Sequence, residues 1–158
     1  RGLLGSSYFA AHPTLPLEDM VAAINLDAGA PPAPPLTWRI AGGSVSTLGE
    51  TARTVAARRG WTAEPGDPAP NSDYWGLLTR GVPAIFIIPG GEWEGIEGEA
   101  RERLRTRWEH YHQPSDEWHP DFPFAGLERY ARFALEVGLA VADGPRRPRM
   151  LFSGDEGR

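Results

Sequence analysis

Two stretches of the sequence carry side chains suited to holding a metal ion. The first ends in Asp27, which directly follows the apolar run Met20–Leu26 (MVAAINL). A carboxylate at the end of a buried strand is costly unless hydrogen-bond donors or a cation stand beside it. Asp27 therefore reads either as a metal ligand or as the cap of the turn it starts. The second is His112, within Tyr111-His112-Gln113-Pro114-Ser115-Asp116-Glu117-Trp118-His119. Neutral imidazole is the commonest zinc ligand, and its other ring nitrogen usually donates to a carboxylate or carbonyl. Pro114 stiffens the turn that would present it. A third stretch, Asn71-Ser72-Asp73-Tyr74, offers Asp73 to orient a ligand; equally, Ser72 or Asp73 caps the short helix that follows.

Four histidines stand at positions 12, 110, 112 and 119. His12 precedes Pro13 at the end of a helical stretch and reads as a helix-end residue, while His110 and His119 read as surface or supporting groups. Trp93, Trp108 and Trp118 lie in the irregular segment around His112, where they either line an apolar pocket or cover the core. There is no G-x-S-x-G, no H-E-x-x-H and no glycine-rich phosphate loop between a strand and a helix. The chain has no cysteine, which removes disulfides, thiolate zinc sites and a cysteine nucleophile.

Several elements must position these residues. With 158 residues, 41% hydrophobic and 23% charged, the chain has the composition of one globular domain. A net charge of -5 gives a weak footprint for nucleic acid, and no apolar run is long enough to span a membrane. Helical spacing marks residues 3–11, 45–58, 73–79, 97–108 and 123–142, the last with a face of Leu127, Tyr130 or Ala131, Ala134, Val137 or Gly138, and Val141. Strands are expected at 20–26, at 36–41 by alternation of Leu36, Trp38 and Ile40, and at 83–88 (PAIFII), with a loop over 62–71. The order is α/β in character and predicts a three-layer sandwich on a mainly parallel sheet. Loops at the carboxyl ends of its strands would carry the chemistry, which is where Asp27 falls.

In order along the chain, GLLGSSYFAAHP (2–13), AAINLDAG (22–29), NSDYWGLLTRGVPAIFIIPG (71–90) and YHQPSDEW (111–118) resemble the M28 family of zinc aminopeptidases. The resemblance implies an α/β/α sandwich holding two zinc ions that activate water for peptide hydrolysis, releasing N-terminal amino acids from a peptide substrate. It implies Asp27 as ligand of one zinc and His112 as ligand of the other, with Asp73 and Asp116 in support. Tyr74 stands where the family usually has histidine. Tyr74, Trp93, Trp108 and Tyr111 are the candidate substrate-pocket residues, and none of the residues named is assigned as the catalytic base.

The family's H-x-D motif and the Glu-Glu pair that supplies its base precede the segment at which this chain opens. The resemblance therefore implies a partial peptidase domain over residues 1–143, followed by a tail over 144–158. The N-terminal segment of the same domain would be a missing partner, and this chain would be inactive by itself. Export from the cell is favoured by the resemblance alone. Two rival readings share the scaffold: a single-zinc transferase like glutaminyl cyclases, and a non-catalytic binding module.

Overall fold

The computed structural model describes residues 2–105, 110–118, 120 and 122–151. Its elements are α1 (Leu4–Ala11), β1 (Ala23–Asn25), β2 (Thr37–Ala41), α2 (Thr47–Arg58), β3 (Thr62–Gly66), α3 (Tyr74–Leu78), β4 (Ala84–Pro89), α4 (Gly98–Arg105) and α5 (Phe124–Ala142). Single 3-10 turns at Leu17–Asp19 and Gly43–Val45 complete them. The four strands form one sheet in the order β1-β4-β2-β3. β1 runs parallel to β4 and β2 parallel to β3, while β4 and β2 are antiparallel. The sheet is thus mixed but mainly parallel, with helices on both faces.

β4 explains why its sequence reads as an unbroken apolar run. Successive side chains of a strand point to opposite faces. Ile85 and Ile87 join Trp38, Leu48, Val55 and Phe133 in the core beneath α2 and α5. Ala84 and Phe86 join Tyr74 and Leu78 beneath α3 on the other face. A central strand buried on both faces has no polar position to alternate with. Each buried isoleucine contributes on the order of 1.5–3 kcal/mol through removal of its surface from water.

The two edges differ. β3 occupies residues 62–66, where the sequence predicts a loop because of Pro65 and Gly66. Proline is tolerated in an edge strand, and among the described residues β3 is the edge, paired only to β2. At the other edge, β1 covers three residues of the predicted 20–26 strand. Its free side meets no other strand among the described residues.

The predicted helices are present with ends shifted by one or two residues, and Arg105 ends the described part of α4. On α5 the buried face is Gly126, Tyr130, Phe133, Ala134 and Val137. Gly126 makes a close approach possible: a Cβ there would stand 2.3 Å from the Pro31 carbonyl oxygen. The Pro-rich loop after β1 is thereby seated on the first turn of α5. Residues beyond α5 fold back as well, since Thr47 N–H donates to Arg149 C=O and Leu151 N–H to Val45 C=O. No helix among the described residues is long and apolar enough to cross a membrane.

Candidate functional site

β1 ends at Asn25, and Asp27 lies two residues past it, exposed at the carboxyl end of β1. Two residues apart on an extended chain, Asn25 and Asp27 reach toward the same side. Both meet Ser72, which enters from the loop before α3. Asn25 Nδ2 donates to Ser72 Oγ at 2.7 Å, and Ser72 Oγ donates to Asp27 Oδ2 at 2.5 Å. The second distance is typical of a hydroxyl donating to a carboxylate. Ser72 is 1% exposed, so its hydroxyl has no water to exchange partners with. Neither Ser72 nor Asp73 makes a side-chain cap bond to α3; the serine is committed to Asp27 instead. Asp27, for its part, accepts from that hydroxyl rather than capping its own turn.

The backbone beside Asp27 is held from the other face of the sheet. Tyr130 of α5, 3% exposed, donates its hydroxyl to the Ile87 carbonyl at 2.5 Å and accepts from the Ala28 N–H at 3.4 Å. Burial is the main cause that pushes this phenol up to about 12; the Ala28 and Asp27 backbone amides oppose the shift, and the Asp27 charge adds to it.

Tyr74, at the start of α3, is buried and closes the loop that carries Ser72. Its hydroxyl donates to Ala69 C=O at 2.8 Å and accepts from Ala69 N–H at 2.7 Å. Asp73 and Tyr74 also line an open cavity of about 310 Å³ between α1 and β1, together with Phe9, Ile24, Asn25 and Leu77.

The 110–118 loop is a tight turn. Gln113 N–H donates to His110 C=O at 2.9 Å and Asp116 N–H to Gln113 C=O at 3.0 Å, while His110 Nδ1 stands 2.9 Å from Ser115 Oγ. His112 sits in the left-handed region with φ 59 and stacks on Tyr111 at 3.8 Å between centroids. His112, Tyr111 and Asp116 are all exposed. Trp93 is 7% exposed, bridged to Pro35 and Ile96, and its indole N–H has no partner among the described residues. Trp108 and His119 lie outside the described residues. His12 is the residue that ends α1, its N–H bonded to Tyr8 C=O.

As a donor set for zinc, these residues fit single ligand positions. Asp27 keeps Oδ1 without a hydrogen bond among the described residues, while Oδ2 is held by Ser72. His112 offers an exposed imidazole. Among the described residues no three His, Cys, Asp or Glu side chains come together as a group that could hold a metal ion.

Ser72 and Tyr130 are the residues that sequence reasoning missed. The N-x-D spacing of Asn25 and Asp27 was the available signal for a shared partner, but nothing local points from there to a serine 45 residues away. Tyr130 reads in sequence only as part of an apolar helix face.

The sequence matches Peptidase family M28 over residues 1–137, and the chain belongs to that family. Its fold is similar to that of an aminopeptidase from Aneurinibacillus sp. strain AM-1, with a TM-score of 0.64 and 19% identity, covering 99% of this chain and 33% of that one. It is also similar to a zinc aminopeptidase from Bacillus subtilis, with a TM-score of 0.60 and 20% identity, covering 87% of this chain and 32% of that one. This chain spans about a third of the length of both. No curated protein matches it.

Proposed function

We propose that the chain forms part of a zinc aminopeptidase domain, in which Asp27 is a ligand of one zinc ion and His112 of a second. Asp73 and Asp116 support them, and the substrate is a peptide with a free N-terminus. Family membership supports peptide hydrolysis as the class of reaction. The observation that carries the reading is the Asn25–Ser72–Asp27 relay, which fixes one carboxylate oxygen at the end of β1 and leaves the other without a hydrogen bond among the described residues. When bound, zinc supplies Lewis acidity, which makes water nucleophilic at neutral pH and polarises a carbonyl. This chain's residues hold and orient. Ser72 restrains rotation of the Asp27 carboxylate, and the stacking of Tyr111 on His112 with 51% exposure supports its reading as a substrate-pocket residue.

The remaining ligands and the general base come, on this reading, from a further segment of the same domain packed along β1. Two features support that. β1 is half-buried with one edge unpaired among the described residues, and apolar side chains stand exposed in both helical layers: Leu4 and Tyr8 on α1, Leu135 and Leu139 on α5. The 158-residue chain alone then hydrolyses no peptide. Secretion or a periplasmic location belongs to the same proposal.

The test is hydrolysis of leucine p-nitroanilide and its N-acetylated form by the protein at its natural length. The free amine is cleaved and the blocked one is not, and Asp27→Asn lowers the rate by about 100-fold or more. Equal rates for wild type and Asp27→Asn would sink the reading. One zinc per protein in place of two, with cyclisation of N-terminal glutamine, would turn it toward the transferase.

A further inference from the structure

We propose that Tyr130 is a positioning residue for Asp27: its hydroxyl ties the parted ends of β1 and β4 together and fixes the backbone from which the carboxylate projects. The inference rests on the reading of Asp27 as a metal ligand.

The β1–β4 ladder has three rungs, and the last is Asn25↔Phe86. Beyond it β4 stays with β2, Ile87 opposite Ile40 and Ile88 opposite Arg39. β1 instead departs as Leu26-Asp27-Ala28. Diverging strands leave amide and carbonyl groups with no rung between them, and buried backbone groups require partners. One side chain satisfies both: the Tyr130 hydroxyl donates to Ile87 C=O and accepts from Ala28 N–H. It stands where a further rung would have been. Asp27 is thus held between the last true rung and this substitute.

The two restraints come from opposite layers. Tyr130 belongs to the core beneath α2 and α5, its ring 6.0 Å from that of Trp38 between centroids. Ser72 arrives from the loop before α3, on the other face. One fixes the backbone and the other the carboxylate. One helical turn earlier, Gly126 brings Pro31 against the same face of α5. The loop carrying Asp27 is therefore seated on α5 at two points.

The experiment compares wild type, Tyr130→Phe and Ser72→Ala by NMR of the isotopically labelled 158-residue chain, with zinc affinity measured on the protein at its natural length. Tyr130→Phe keeps the ring and removes only the hydroxyl. It is expected to shift both the Ala28 amide and the Asp27 carboxyl carbon, to speed exchange of the Ala28 amide, and to weaken zinc by about ten-fold. Ser72→Ala is expected to shift the carboxyl carbon and leave Ala28 exchange unchanged. A Tyr130→Phe variant that melts earlier but keeps the Asp27 carbon shift and zinc affinity would overturn the proposal. Should that variant not fold, the wild-type spectrum decides: a slowly exchanging Tyr130 hydroxyl proton close to the Ala28 amide is expected, and its absence overturns the tie. If wild type binds no zinc, the ligand reading fails, while the Ala28 and Asp27 resonances still decide whether Tyr130 positions the loop.

Discussion

Ser72 Oγ lies 2.5 Å from Asp27 Oδ2, joining two loops 45 residues apart beyond the carboxyl end of β1. The serine is buried and the aspartate exposed, so an inward group sets the direction of an outward one. A carboxylate held this way presents its free oxygen without first losing side-chain freedom, which is what a metal ligand requires.

Ser72→Ala removes that restraint and leaves Asn25 Nδ2 without its acceptor. The expected result is zinc affinity lower by 10- to 100-fold and a stability loss of about 1–2 kcal/mol. Zinc titration of the protein at its natural length, together with urea unfolding, reads both. An unchanged affinity would mean that Asp27 either orients itself or binds no metal.

Tyr74→Phe tests the loop that delivers Ser72. It keeps the buried ring against Phe86, whose centroid is 6.1 Å away, and deletes both bonds to Ala69. A cost of about 1–3 kcal/mol is expected, with faster hydrogen exchange at the Ala69 amide. Exchange there as slow as in wild type would show that other contacts hold the loop.

Tyr130 also makes a prediction about alkaline pH. Its folded-state value stands at about 12 against an ordinary 10.0, so the unfolded chain gives up this proton first. The stability tied to the neutral phenol is fully present below pH 10 and is lost between about pH 10 and 12. Tyr130→Phe starts less stable at neutral pH because its hydrogen bonds are gone, but it lacks this loss. The stability gap between the two proteins should therefore narrow across that window in urea titrations. A constant gap would show that the phenol titrates alike in both states.

Ile87→Ala probes the sheet that carries the site. Ile87 is fully buried in the α2/α5 core, and a cavity there costs about 2–5 kcal/mol. Its denaturation midpoint should fall accordingly. By contrast, Arg59→Ala breaks an exposed ion pair to Glu136 and should leave the denaturation midpoint nearly unchanged.

Much of the fold is legible in the sequence because its signals are local. The unbroken run at Ala84–Ile88 marks a strand buried on both faces, and the face of α5 can be read by spacing. β3 escapes such a reading because Pro65 argues against a strand until its place at the sheet edge is known. Asp27 is legible as a carboxylate after an apolar run. Its partner is not, since Ser72 before a short helix has the look of a cap and its bond is long-range. Tyr130 is hidden for the opposite reason: a tyrosine on an apolar face satisfies the helical pattern, and the pattern says nothing about where its hydroxyl goes.

The most direct measurement is the zinc content of the purified protein at its natural length, wild type against Asp27→Asn, after dialysis against trace zinc. Two zinc ions are expected in wild type, with the loss of one when the Asp27 carboxylate becomes an amide. Equal zinc content in the two proteins, with both folded, would contradict it.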